Sequence, residues 1–388
     1  MSATKEITNM LFVAPTLDER ELEVLSQIES LKKSLRFQLT EPRRWSGALR
    51  RMAFARNVQG SNSIEGYEAA LDDAAAVALG EEPLDASTET RLALEGYISA
   101  MTYVLQIVQE PEISVSEHLI KSLHFMMTSY DLKNRPGRWR AGAIYVQDER
   151  TGDIVHEGVD LERVPDLMSA LIASMNEPAE TTLVAAAMAH LNLVMIHPFR
   201  DGNGRMARCL QSFVLAADGI LAPVFMSVEE YLGRNTQAYY DVLAKVGGGT
   251  WSPNNDARPW VRFMLTAHLR QASTLQRRVR ASEQLWVELE KLQESHRLPE
   301  RAIGALFDAA YGLRVRRSTY MATLAEIDEE ISEQTATRDL QALTDSGLLV
   351  PFGERRGRYY VGAEPLRALR EMASPRRIRD DSDPFAGS

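Results

Sequence analysis

Apolar residues recur every three to four positions along most of the chain, which is the spacing of amphipathic helices. This spacing runs through "DERELEVLSQIESLKKSLRFQL", "ETRLALEGYISAMTYVLQIVQ" and "SVSEHLIKSLHFMMTSY". The later segment 183–196 is apolar on almost every side, as expected of a buried central helix. The pattern therefore predicts a mainly helical protein.

One stretch in the first half of the chain departs from this helical spacing. Residues 144–147 and 153–156 are β-prone and flank a turn that contains Gly152. Two such segments joined by a glycine-containing turn predict a small β-hairpin. The fold class we expect is therefore all-α with one hairpin, up to about residue 296.

From about Arg297 the order of elements changes. The sequence predicts a helix, a turn, a second helix and a β-ribbon with a glycine-rich tip. In the second helix Ala336, Leu340 and Leu343 form an apolar stripe, and Gly347 is placed to end the helix. This order resembles a C-terminal winged helix-turn-helix domain. The last residues, "SPRRIRDDSDPFAGS", predict a disordered tail because they are small, polar and charged.

Composition and charge limit the classes of function. A net charge of -10 argues against a surface built mainly to coat nucleic acid or an anionic membrane. The single cysteine, Cys209, excludes an intramolecular disulfide framework and fits a reducing compartment. The N-terminus lacks the pattern of a signal peptide, and the most apolar windows are too short to span a bilayer. We therefore expect a cytoplasmic protein without membrane association.

A dense group of polar residues, "HPFRDGNGRMAR" at 197–208, follows the apolar segment directly. Pro198 disfavours helical geometry at His197, so the helix should end there. Gly202 and Gly204 permit a loop that turns backbone N–H groups inward, and a second helix should begin near Gly204 or Arg205. The unpaired N–H groups and the dipole of that helix predict an anion-binding cradle.

The charged side chains of this segment indicate which anion it would bind. Arg205 and Arg208 are three residues apart and therefore lie on one face of the second helix. Two cations beside such a cradle favour a polyphosphate, and Asp201 is an oxygen ligand suited to Mg²⁺ on that phosphate. His197 could take a proton from an incoming hydroxyl group. Taken singly, these features are more often a core histidine, a surface turn and a solvated helix face; their joint occurrence favours a site.

This segment resembles the complete signature of the Fic family, H-P-F-x-[DE]-G-N-G-R-x-x-R, without a departure at any fixed position. The resemblance extends over roughly residues 1–265 and implies a helical Fic fold that transfers AMP from ATP to a Ser, Thr or Tyr hydroxyl of a protein. It implies that His197 is the general base and that Asp201 holds Mg²⁺. The residues implied to hold the phosphates are Gly202, Asn203, Gly204, Arg205 and Arg208.

The hairpin lies where this family carries its flap. The resemblance implies that a protein substrate pairs with the free strand edge and that Val146 and Gln147 contact the nucleotide. A hairpin that merely closes the helical core is the structural alternative. Further along, "EEYLGRNTQAYYDVL" resembles the helix that completes the adenine pocket, with Tyr240 as the candidate contact. Gly247 stands where some relatives carry asparagine, so transfer of UMP or GMP stays open.

A second motif, "GSNSIEGYEA", resembles the inhibitory motif [ST]-x-x-x-E-[GN] of Fic proteins through Ser61, Glu65 and Gly66. The alternative is a helix start capped by Ser61 or Ser63. The resemblance implies a bidentate ion pair between Glu65 and Arg208 that prevents the terminal phosphate from seating. Some relatives use the corresponding glutamate to remove AMP, which the sequence also permits.

Two classes of function follow, an autoinhibited protein adenylyltransferase and a DNA-binding regulator that senses a ligand through a Fic fold. The proposed wing tip carries three arginines, at 355, 356 and 358, that could contact DNA phosphates. The preceding helix carries Glu326, Asp328, Glu329 and Glu330, which would repel DNA. The intact signature favours the enzyme. Phosphate or phosphocholine transfer are lesser alternatives; self-modification and a homodimer are compatible with the sequence.

The domain boundaries we expect follow from these assignments. They are an N-terminal helical region with the inhibitory helix at 1–100, a Fic catalytic core at 101–255, a helical linker at 256–296, the winged helix at 297–372 and the disordered tail at 373–388.

Overall fold

The computed structural model describes residues 10–40, 45–110, 113–147, 151–216, 223–354, 357–373 and 382–386, and helices dominate them. Among the described helices, none combines the length and apolar composition needed to cross a membrane. The helices are α1 (Glu19–Thr40), α2 (Ser46–Ser63), α3 (Leu71–Ala78), α4 (Thr88–Ile107), α5 (Glu117–Thr128), α6 (Val164–Met175), α7 (Thr182–Ile196), α8 (Asn203–Ala216), α9 (Pro223–Met226), α10 (Glu229–Arg234), α11 (Thr236–Gly247), α12 (Arg258–His296), α13 (Ile303–Ala310), α14 (Arg317–Ala325), α15 (Glu333–Asp345) and α16 (Glu364–Ala373).

Helix α7 is the centre of the fold, as its apolar sequence predicts. Twelve of its fifteen residues are buried, and it packs against α6, α8 and α12. It ends at His197, which adopts a left-handed conformation with φ +54° and donates its N–H to the Leu193 carbonyl at 3.0 Å. Helix α8 starts at Asn203, one residue before the predicted start. The loop 197–202 is therefore fixed at both ends by buried helices.

The predicted hairpin is present, with each strand displaced slightly from its expected range. Strand β1 (Tyr145–Gln147) pairs antiparallel with β2 (Ile154–Glu157), and the register shifts between Val146 and Gln147. The glycine-containing turn lies partly outside the described residues. The mainly helical fold with one small hairpin is confirmed for the part that carries the site.

The region after α12 contains the elements predicted for it. Helices α13 to α15 precede strands β3 (Leu349–Phe352) and β4 (Tyr359–Gly362), which pair antiparallel. Ala336, Leu340 and Leu343 are buried, as the stripe predicts. Gly347 follows the end of α15 with φ +73°, a conformation that favours glycine.

Two details of this region correct the sequence-based expectations. The acidic group does not lie on a helix, because α14 ends at Ala325 and Asp328 turns the chain with φ +58°. At the proposed wing tip, Arg355 and Arg356 lie outside the described residues, whereas Arg358 is exposed. The acidic residues that follow α14 and the basic residue before β4 therefore lie in loops and not on helices.

Helix α12 and the C-terminal segment 382–386 are more deeply packed than the sequence suggested. The expected helical linker contributes Trp260, Leu275 and Leu289 to the same buried cluster as α7. Within the tail expected to be disordered, Phe385 is buried and packs under the Arg262 guanidinium. An aromatic anchor and backbone carbonyls that accept from arginines hold these residues; Arg20 Nε, for example, donates to the Pro384 carbonyl at 2.7 Å.

A close crossing between α2 and α10 fixes the end of α2, next to the predicted inhibitory motif. A Cβ atom at Gly60 would lie 2.5 Å from the Glu229 carbonyl oxygen, and one at Gly233 would lie 2.8 Å from the Gly60 backbone. Only glycine lets the two backbones approach this far.

Replacing Gly60 by alanine should therefore lower stability by about 1 to 3 kcal/mol, because the added methyl group meets a backbone that cannot move aside. Gly304→Ala is the matched control, since no atom lies within 4 Å of its Cβ position. The midpoint of thermal unfolding should fall for Gly60→Ala and stay equal or rise for Gly304→Ala. An unchanged midpoint for both variants would contradict the close crossing.

Candidate active site

The loop between α7 and α8 is closed by the side chain of Asn203. Its Oδ1 accepts from the Phe199 N–H and its Nδ2 donates to the Phe199 carbonyl, both at 2.9 Å. Phe199 is itself fully buried and anchors the loop in the core. Asn203 was expected to help hold phosphates; with its side chain committed to Phe199, only its backbone N–H remains available for that role. Its amide group instead shapes the loop.

His197 presents one ring nitrogen toward the site. Its Nδ1 lies 3.1 Å from the Val194 carbonyl, and since a carbonyl only accepts, Nδ1 must carry the proton. This tautomer leaves a lone pair on Nε2. Burial lowers the pKa of His197 to about 4, against the opposing effect of the Val194 hydrogen bond. The imidazole is therefore neutral near pH 7 and able to accept a proton.

Asp201 is oriented by two hydrogen bonds. Its Oδ1 accepts from the Gly202 N–H at 2.7 Å, and its Oδ2 accepts from Asn134 Nδ2 at 3.1 Å. Oδ2 also lies 3.7 Å from Arg205 Nη2. The carboxylate remains partly exposed, so it can serve as a ligand to a hard cation that also binds phosphate. Among the described residues no cluster of three or more His, Cys, Asp or Glu is placed to hold a metal ion.

His124, which the sequence analysis did not single out, holds this loop from α5. The Gly137 N–H donates to its Nδ1 at 2.9 Å, so its Nε2 carries the proton and donates to the Asp201 carbonyl at 3.0 Å. Its ring stacks on Phe199 with centroids 3.7 Å apart. Burial lowers the pKa of His124 to about 4, which keeps this arrangement neutral. No local spacing links positions 124 and 201, so only the tertiary structure reveals the contact.

Arg205 is fully buried and incompletely paired. Its Nη1 donates to the Tyr130 hydroxyl at 3.2 Å, and its guanidinium lies 4.9 Å from the centre of the Tyr67 ring. Among the described residues, no hydrogen-bond partner is found for its Nε or Nη2. A buried cation whose N–H groups lack acceptors costs free energy. An anionic ligand would supply those acceptors.

Arg208 is held by the end of helix α2. Its Nε donates to Ser61 Oγ and its Nη2 to the Ser61 carbonyl, both at 2.8 Å, while Nη2 also donates to Glu65 Oε1 at 2.6 Å. Burial lowers the pKa of Arg208, but the charge and hydrogen bond of Glu65, together with Tyr239 and Tyr97, raise it by more, so the net shift is upward. The expected bidentate pair with Glu65 is wrong: Ser61 takes two of the donors, and one carboxylate oxygen accepts a single hydrogen bond. Among the described residues, Nη1 has no partner.

Glu65 lies directly over the start of helix α8. A Cβ at Gly204 would be 2.2 Å from Glu65 Oε1, so only glycine allows the carboxylate to approach the first turn. The N–H groups of a first helical turn lack partners within the helix, and the helix dipole there favours negative charge. Gly66 follows with φ +81°, which explains a glycine after the glutamate. The carboxylate of Glu65 thus lies next to the first turn of α8, where the sequence predicts an anion-binding cradle.

The base of the hairpin is tied to the loop by Arg140. Its Nε donates to the His197 carbonyl and its Nη1 to the Gly142 carbonyl, at 2.9 and 2.7 Å. His156 on β2 bonds the Met195 carbonyl through Nε2 at 2.9 Å. Val146 is half-buried and Gln147 exposed on β1. The hairpin is therefore anchored next to His197, and within the described part of the chain no further strand pairs with β1.

Tyr240 lies on α11 near the inhibitory motif. Its hydroxyl donates to the Ile64 carbonyl at 2.9 Å, although 44% of the residue is exposed. Gly247, at the end of the same helix, packs on Met195: a Cβ there would lie 2.8 Å from Met195 Sδ. A side chain at 247 would therefore require the flexible end of Met195 to move aside.

These residues assemble a site from separate parts of the chain. A neutral imidazole, an oriented carboxylate and two buried guanidinium groups surround the start of α8. The sequence model of the Fic/DOC family matches residues 114–215. Residues 114–215 are therefore similar to the Fic/DOC family. The matched segment includes His124, Arg140 and the whole loop, whereas Glu65 and Tyr240 lie outside it.

The chain is also similar to curated Fic proteins. It is 24% identical over 272 residues to "Protein adenylyltransferase Fic" of Nematostella vectensis, covering 67% of this chain and 57% of that protein. It is 29% identical over 257 residues to the protein of the same name from Drosophila melanogaster, covering 65% and 47%. The chain thus spans about half the length of these relatives.

Solved structures share the fold. A Fic family protein from Desulfovibrio desulfuricans aligns with a TM-score of 0.57 at 22% identity, covering 91% of this chain and 99% of that chain. Fic-1 from C. elegans aligns with a TM-score of 0.52 at 22% identity, covering 66% and 71%. These similarities extend the shared fold beyond residues 114–215.

The His197 ring should stay neutral from pH 8 down to about pH 5, because burial lowers its pKa to about 4. Its ring nitrogens should report a protonated Nδ1 and an unprotonated Nε2. Nitrogen-detected histidine spectra across this range test both points, with His197→Ala identifying the signal. A pKa near 6.5 or a proton on Nε2 would contradict the geometry.

Proposed function

We propose that the protein transfers AMP from ATP to hydroxyl groups of protein substrates, and that Glu65 inhibits the reaction. The observation that carries the proposal is the carboxylate of Glu65 bound to Arg208 at the start of α8, close to a neutral histidine. The cradle contains buried arginine nitrogens without hydrogen-bond partners among the described residues, which suits a polyphosphate. The names of the relatives support the same reaction class.

The reaction requires His197 to act through Nε2. The lone pair on this nitrogen accepts the proton of the substrate hydroxyl while that oxygen attacks the α-phosphorus of ATP. A bond forms between the hydroxyl oxygen and phosphorus, the bond to the bridging oxygen breaks, and pyrophosphate leaves. The Val194 carbonyl keeps the proton on Nδ1, so the correct nitrogen faces the substrate.

The cradle would position the phosphates and neutralise their charge. Arg205 would hold the phosphate chain with Nε and Nη2, for which the described residues provide no hydrogen-bond partner, and Arg208 would bind the terminal phosphate. The N–H groups from Gly202 to Arg205 would contribute at the start of α8. Asp201 would hold Mg²⁺ together with the phosphates, and the ion would supply further charge neutralisation.

Inhibition follows from competition for Arg208. While Glu65 accepts from Nη2, a terminal phosphate cannot take the same donor, and the carboxylate repels phosphate over Gly204. ATP would then lie in a position unsuited to in-line attack. The same geometry permits hydrolytic removal of AMP, in which water positioned by Glu65 attacks the phosphorus of the modified protein, the bond to the protein oxygen breaks, and AMP and the protein hydroxyl are released.

The elements around residues 114–215 suggest how targets are chosen. The exposed edge of the hairpin would pair with an extended segment of the substrate protein and present its hydroxyl to His197. We also propose that the helices and ribbon after residue 297 form a winged helix. Exposed Arg338 and Arg358 favour DNA binding by it as a second function, and the nearby acidic residues favour protein docking.

Glu65→Gly should raise the initial rate of AMP transfer by about 10- to 150-fold, the range expected for one charge-assisted hydrogen bond. Labelled AMP from α-labelled ATP is counted on the protein itself and on added proteins, with GTP and UTP in parallel. A matched thermal-unfolding curve checks that the variant folds. A rate equal to or below that of the wild type would contradict inhibition.

His197→Ala, made in the Glu65→Gly background, should reduce transfer by about 10²- to 10⁴-fold because the general base is lost. ATP affinity, measured by calorimetry, should change little, since the imidazole is not a phosphate contact. Retained transfer would exclude the mechanism. DNA binding that responds to ATP, without any transfer by Glu65→Gly, would favour the regulator instead.

A further inference from the structure

The turn that carries Glu65 is the C-terminal end of helix α2, and the last carbonyls of a helix need partners from elsewhere. Two of these carbonyls are satisfied within the turn. The Asn62 carbonyl accepts from the N–H groups of Glu65 and Tyr67, at 3.0 and 3.1 Å, and the Ser63 carbonyl accepts from Gly66 N–H at 3.1 Å. These bonds give the turn its shape but do not attach it to the site.

Two other carbonyls of the same turn are satisfied by side chains across the site. The Ser61 carbonyl accepts from Arg208 Nη2 at 2.8 Å, and the Ile64 carbonyl accepts from the Tyr240 hydroxyl at 2.9 Å. The Ile64 carbonyl belongs to the peptide group that leads directly into Glu65. The position of the carboxylate is therefore set from both sides, by Arg208 and by Tyr240.

Helix α11 makes a firm support for Tyr240. The neighbouring Tyr239 is buried, and its hydroxyl donates to His190 Nε2 at 2.9 Å, because Nδ1 of that ring donates to Gln211 Oε1. The ring centroids of Tyr239 and Tyr240 are 5.4 Å apart. Tyr240 itself is 44% exposed, so it lies at the surface and not in the hydrophobic core.

We propose that Tyr240 is a positioning residue for inhibition: its hydroxyl latches the Ile64 carbonyl and so holds Glu65 on Arg208. The inference rests on the proposed function, in which release of Glu65 frees Arg208 for phosphate. Loss of the hydroxyl shifts the turn toward the released state. One neutral hydrogen bond corresponds to a change of about two- to tenfold in that equilibrium.

Tyr240→Phe tests this latch because it removes the hydroxyl and keeps the ring. The variant should transfer AMP about two- to tenfold faster than the wild type. In the Glu65→Gly background the same change should give no increase, because no carboxylate remains to be positioned. Tyr103→Phe, an exposed tyrosine on α4, is the matched control and should leave both rates unchanged.

Two outcomes would overturn the latch. An unchanged rate for Tyr240→Phe would mean that the hydroxyl does not hold Glu65. An equal increase in the wild-type and Glu65→Gly backgrounds would mean that Tyr240 acts on the reaction without Glu65.

Hydrogen exchange gives a readout that does not need the reaction. The N–H groups of Glu65, Gly66 and Tyr67 should exchange faster in Tyr240→Phe than in the wild type or in Tyr103→Phe. If Glu65→Gly transfers no AMP, the proposed function fails, while faster exchange at these three groups still supports the latch. Equal exchange in all three proteins would overturn it.

Discussion

The site depends on the charge of Arg208, a guanidinium buried at the start of a helix. A buried charge must be paired, and removing one partner of a buried pair costs about 3 to 5 kcal/mol. Here Ser61 and Glu65 provide the partners. A carboxylate and a phosphate are alternative ligands for the same cation, so one interaction both stabilises the resting protein and blocks its proposed substrate.

Residues that shape the loop are distinct from residues that would do chemistry. Asn203 and His124 commit every polar atom of their side chains to backbone groups of the loop and of its neighbour. They leave the Asp201 carboxylate partly exposed, Nε and Nη2 of Arg205 without a hydrogen-bond partner among the described residues, and Nε2 of His197 unprotonated. Because Asn203 and His124 fix the backbone of the loop, its charged side chains are not needed to hold the loop together.

Much of the site could be predicted because its chemistry lies within residues 197–208. Pro198, the two glycines and the helix that follows act locally, so the end of α7, the cradle and the common face of the arginines follow from spacing. Contacts between segments far apart in the chain could be predicted less well. The pairing of Arg208 was predicted as bidentate, yet Ser61 competes for its donors. Asn203 was expected at the phosphates; its side chain closes the loop, which leaves its backbone N–H for that role.

The sequence by itself determined the helical character, the hairpin, the buried central helix and the identity of the groups at the cradle, because these depend on periodicity and on neighbours in the chain. Only the tertiary structure decided which nitrogen of His197 is free, that His124 supports Asp201, and that Tyr240 holds the turn of Glu65. Each of these depends on hydrogen bonds between segments far apart in the chain, and on the burial that sets their strength and the histidine pKa values. Local sequence patterns do not show which distant segments form hydrogen bonds or how deeply a side chain is buried.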